Sequence, residues 1–88
     1  MAFRELIDDL LAILRTGEHD VSWTRFRSTA EVVSELEQLR ERIDEDEARE
    51  RLKLLCLPTG AIEEIAVSSG WASTWVHLVN SKYRADFA

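Results

Sequence analysis

Apolar residues recur every three or four positions along most of this chain, and only three glycines and one proline are present to interrupt them. A period near 3.6 lines such residues along one face of a helix, whereas a half-buried strand would alternate every second residue. The chain is therefore expected to be all-α. Its 88 residues provide for one domain. The expected architecture is a single small domain over 1–88, a compact bundle of four to five helices.

Phe3, Leu6, Ile7, Leu10, Leu11, Ile13 and Leu14 predict a first helix ending near Arg15, with Gly17 in a left-handed conformation closing it. Residues 18–28 have no helical period and read as a connection. Ser28 and Glu31 then have the spacing of a capping box, and Val32, Val33, Leu36, Leu39 and Ile43 line one face of a second helix over 29–43. After Ile43 the next apolar residue is Ala48, five positions on, and Asp44, Glu45, Asp46 and Glu47 fill the gap. Asp44 and Glu47 repeat the capping spacing, so a new helix is expected over 45–57, supported by Glu45–Arg49 and Glu47–Arg51 pairs four apart. One kinked helix over 29–57 is the alternative. Pro58 cannot continue the ladder and ends that helix. Ile62, Ile65 and Ala66 read as one or two helical turns, with a short strand near 61–67 as the competing possibility. Trp71, Trp75, Leu78 and Val79 predict a last helix over 71–82, with a frayed tail after Tyr83. The expected core is Leu6, Leu10, Leu14, Leu36, Leu39, Ile43, Leu52, Leu55, Ile65 and Trp75.

Charge is distributed far less evenly than apolar surface. The net charge is −6, and all of it falls within residues 31–50, where nine acids face three arginines; elsewhere eight acids and eight bases cancel. An acidic face of this kind steers association with basic proteins and repels nucleic acid. No run approaches the roughly 20 apolar residues that span a bilayer, and the acids in MAFRELIDDL do not fit a signal peptide. A lone cysteine, Cys56, precludes an intramolecular disulfide. A cytoplasmic protein with no membrane partner is expected.

Catalytic, metal and cofactor signatures are not evident. Glu63 and Glu64 are adjacent and would diverge by about 100° on a helix. His19 and His77 lack partners at ligand spacing, and Cys56 sits in an apolar run as a small core residue. Arg25 and Arg27, with Ser28, precede a predicted helix N-terminus and form a candidate anion site. The aromatic rings of Trp23 and Trp71 are candidate contact surfaces, and self-association into a homodimer through them is possible.

The segment from Glu63 to Val76 resembles the helix-turn-helix of bacterial DNA-binding domains, through Glu63, Glu64, Ile65, Ala66, Gly70 and Val76. The resemblance implies that Ala66 packs beneath a second helix, Gly70 makes the turn and Val76 anchors the recognition helix. It would leave Ser73, Thr74, His77, Asn80 and Lys82 exposed to DNA. Ser69 and the bulky Trp71 and Trp75 depart from that pattern, and positive charge for phosphate contacts is scarce.

The functional expectation is a small, acidic, non-catalytic protein-binding module, comparable in size and charge to immunity or antitoxin-type inhibitors of basic partners. Glu35, Asp44, Glu45, Asp46 and Glu47 are its candidate partner-binding residues, and nucleic acid is an improbable partner. The alternatives are a helix-turn-helix DNA-binding or regulatory protein using 62–80, and a structural or oligomerisation domain.

Overall fold

The computed structural model describes residues 3–17, 19–22, 24–57 and 60–83. Five α-helices follow one another among them: α1 Phe3–Leu14, α2 Thr29–Glu41, α3 Asp46–Leu55, α4 Ala61–Ser69 and α5 Ala72–His77. α5 runs on into a π-helical turn, Leu78–Lys82. The all-α expectation holds, and the stretch near 61–67 is helix. No strand occurs among the described residues. The predicted stop at Pro58 and the tail after Tyr83 lie outside them.

α1 is the element around which the others close. Phe3, Leu6, Ile7, Leu10, Leu11 and Leu14 are all buried along one stripe, each such side chain contributing roughly 1.5–3 kcal/mol of transfer free energy. α2 packs on α1, α3 on α2, and α4 on α5. All ten residues expected in the core are buried, joined by Val32, Ile62, Ala66, Leu78 and Tyr83. Two exposed ion pairs join α2 to α1 and the residue after it, Arg40 forking onto Asp8 at 2.6 and 3.3 Å and Glu37 meeting Arg15 at 3.1 Å.

The helix ends show where local sequence and wider structure part company. Ser28 caps α2, its Oγ accepting the Glu31 N–H at 3.3 Å, but the Glu31 carboxylate makes no return bond to the Ser28 N–H, so only half of the expected capping box forms. Gly17 does not close α1 in a left-handed conformation; at φ 159° its backbone is nearly extended. The Ile13 carbonyl instead accepts the Thr16 hydroxyl at 2.7 Å and contacts His19 Nε2 at 3.1 Å. α2 and α3 are separate helices, but the Asp44–Glu47 capping box is not formed. Glu45 is the N-cap of α3 and makes no side-chain cap. Its carboxylate turns back to Arg42, at 3.1 and 3.3 Å.

The expected Glu45–Arg49 and Glu47–Arg51 pairs are replaced as well. Arg49 donates to the carbonyls of Ile43 at 3.0 Å and Asp44 at 2.6 Å, in the turn that follows α2. Two carbonyls fixed in place by the turn match the guanidinium's fork of donors better than one exposed, mobile carboxylate does. Arg51 reaches across to Glu35 of α2 at 2.8 Å.

His19 and Asp20 strap the connection to three helices. The His19 N–H donates to Thr29 Oγ1 at 2.8 Å, and the Asp20 N–H to Ser69 Oγ at 2.8 Å. The Trp71 indole N–H donates to His19 Nδ1 at 3.1 Å, with the two rings edge to face at 86°. At the other end, Asp9 of α1 accepts from Lys82 Nζ at 2.8 Å and from the Tyr83 hydroxyl at 2.6 Å, fixing the π-helical turn to α1.

Candidate functional site

The turn between α2 and α3 carries the densest charge in the molecule. From Glu41 to Glu50 there are six carboxylates and two arginines, Arg42 and Arg49. The break in the helix sets this corner: buried Ile43 and Ala48 pin the chain on either side while the acids between them face water. The side chains of Asp46 and Glu47 are 97% and 91% exposed. The Arg42 hydrogen bond holds the Glu45 carboxyl below its usual range, so it stays ionised in mildly acidic solution.

Four of the five candidate partner-binding carboxylates have an arginine within ion-pair distance. Glu35 pairs with Arg51 at 2.8 Å, Glu45 and Glu47 with Arg42 at 3.1 and 3.8 Å, and Asp46 with Arg49 at 3.7 Å. The side chain of Asp44 has no such partner among the described residues. Glu31, Glu41 and Glu50 are likewise unpaired there, while Glu37 is held by Arg15. Arg15 and Arg51 come from outside 31–50, so the folded surface is less negative than the sequence segment alone. Exposed pairs of this kind contribute only about 0–1 kcal/mol each and exchange readily.

A groove of about 620 Å³ lies beside this surface, bounded by the connection, α2, the end of α3 and the start of α4. Arg25 and Phe26 form one wall, Glu31 and Glu35 another; Arg51, Leu54 and Glu64 complete it. Of these only Glu35 and Arg25 are candidate site residues in the sequence; Glu31, Arg51 and Glu64 enter it as capping, pairing and helix-turn-helix positions. Helical period marks Leu54 only as a residue off the apolar stripe, and no local pattern shows that α4 will bring Glu64 opposite α2.

The structure divides the candidate anion site. Arg25 lines the groove and Arg27 does not, and the Glu31 N–H, one of the α2 donors an anion would use, is taken by Ser28 Oγ. Trp23 lies outside the described residues. Trp71 is partly buried against the core, with its indole N–H committed to His19.

α4 and α5 do form a helix-turn-helix in outline. Gly70 is left-handed at φ 84°, the Trp71 N–H reaches back to the Ala66 carbonyl at 2.9 Å, and Ala66 is fully buried. The anchor is different from the one the resemblance implies. Val76 is 50% exposed and Trp75 is buried in its place. Because α5 begins at Ala72, directly after Trp71, Trp75 is the residue its turn brings onto the core, and its larger apolar surface gains more from burial there. Ser73, Thr74, His77, Asn80 and Lys82 are exposed, but Lys82 is paired with Asp9.

Cys56 is buried, and desolvation pushes its thiol up to about 12, so it stays protonated and unreactive near neutrality. Among the described residues no group of three or more His, Cys, Asp or Glu could hold a metal ion. No described helix is long and apolar enough to cross a membrane. No protein-family model, curated protein or solved structure matches the chain.

Proposed function

We propose that the protein is a small, non-catalytic protein-binding module whose acidic α2–α3 corner meets a basic partner, in the manner of an immunity or antitoxin-type inhibitor. The observation that carries this reading is the corner itself, where Asp44, Glu45, Asp46 and Glu47 project into water from a turn held by buried Ile43 and Ala48. Such a projecting field raises the encounter rate with a cationic surface, and salt weakens it. The arginines at the corner do not cancel it, since six carboxylates outnumber two guanidinium groups there.

The test compares the native chain with the variant D44N/E45Q/D46N/E47Q. A partner captured from cytosolic extract by the native chain is purified, and its association rate is measured at low and moderate salt. The variant is expected to associate at least tenfold more slowly at low salt and to lose most of the salt dependence. Equal rates for the two chains overturn the electrostatic reading. The helix-turn-helix outline of α4 and α5 supports a second reading as a DNA-binding protein; retention of random duplex in a low-salt gel shift would favour it over the first.

A further inference from the structure

We propose that the groove between α2, α3 and α4 receives a single lysine or arginine side chain, flanked by uncharged neighbours, from the basic partner. This rests on the reading of the protein as an acidic binding module and names where that partner is gripped. Part of the lining is apolar: Phe26 is half-buried, and Leu54 is 57% exposed. The walls supply charge. Glu35 is already neutralised by Arg51 at 2.8 Å, but Glu31 and Glu64 have no ion pair among the described residues, and Glu64 is half-buried in the wall.

These features select among occupants. An apolar side chain alone would cover Leu54 but would strip water from two carboxylates without replacing it. Among the described lining residues, an anion would face Glu31 and Glu64 with Arg25 as the one cation outside an ion pair. A lysine or arginine satisfies both demands, because its methylene stem covers Leu54 and Phe26 while its charged head reaches the carboxylates. Arg25 sets the limit, since its charge opposes a second cation. The groove therefore fits one basic side chain among uncharged neighbours, not a polybasic tract.

The experiment titrates the isotopically labelled protein with N-acetyl-Leu-Arg-Leu-amide at low salt and follows backbone amide signals, with the Leu-Glu-Leu analogue in parallel. Saturable shifts are expected at Phe26, Leu54 and Glu64 with the basic peptide alone. E31Q/E64Q is expected to weaken binding about two- to fivefold, the size of exposed charge contacts. L54S is expected to weaken it with charge unchanged, and both variants alter surface positions that leave the core intact. Shifts confined to 44–47 overturn the groove while leaving the acidic corner standing. Binding of the acidic analogue in the groove assigns it to Arg25 and overturns the proposal, and no shift anywhere overturns the groove while the association rates above decide the acidic corner.

Discussion

His19 shows how much one side chain can fix. An indole N–H only donates, so Nδ1 of His19 must accept from Trp71, and Nε2 must carry the proton that goes to the Ile13 carbonyl. Nitrogen NMR of the native protein at neutral pH is expected to find the Nε2–H tautomer; the Nδ1–H form would disprove the strap. Tyr83 and Asp9 make a second prediction. Burial, then the Asp9 carboxylate, pushes the Tyr83 hydroxyl up to about 12, above the roughly 10 of an unfolded tyrosine. The folded state therefore favours the protonated phenol. Its contribution is complete below pH about 10 and is lost as pH rises toward about 12. Tyr83→Phe is expected to lower stability at pH 7 by about 1 kcal/mol, with the gap to native narrowing above pH 10. Asp9 works in the opposite direction. Partial burial raises its carboxyl, but the hydrogen bonds from Lys82 and Tyr83 outweigh this and hold it below the usual range. That contribution is present above roughly pH 4 and lost as pH falls below it.

At the scale of the element, the helices were legible because each carries its own apolar period and few breaks. Their contacts were not. The Ser28 cap is local, three residues long, and was readable; the roles of Arg42, Arg49 and Arg51 depend on which carbonyls and carboxylates the fold brings near them. Five of the nine acids in 31–50 are ion-paired, and no spacing rule applied to one helix anticipates Arg51 crossing to Glu35. Gly70 offers a clean test of turn chemistry. Its φ is 84° and a Cβ built there meets nothing within 4 Å, so Gly70→Ala tests backbone conformation alone. A loss of about 1–2 kcal/mol is expected from denaturant unfolding. A neutral result would mean that the α4–α5 turn is not held left-handed in solution.

At the scale of the whole molecule, everything depends on one small core. A radius of gyration of 11.9 Å matches the roughly 12 Å expected of a folded chain this long. Total stability should be roughly 4–13 kcal/mol. Leu10 is fully buried at the centre of α1, and Leu10→Ala is expected to cost about 2–5 kcal/mol. Urea unfolding should therefore show a midpoint well below native, with an unchanged slope. A shift under about 0.5 kcal/mol would show that the α1 stripe is not the centre of the core.

The sequence alone determined the helices, the buried faces and the position of the break before α3, because each follows from the spacing of residues close together in the chain. It also determined the total charge and its confinement to 31–50. The packing of the helices settled which acids remain unpaired, which carbonyls and carboxylates the arginines meet, and that Arg25, Leu54 and Glu64 lie around one groove. The physical reason is reach. Period and capping act over three or four residues, whereas a charge or hydrogen bond is satisfied by whatever the packed helices place within about 3 Å of it.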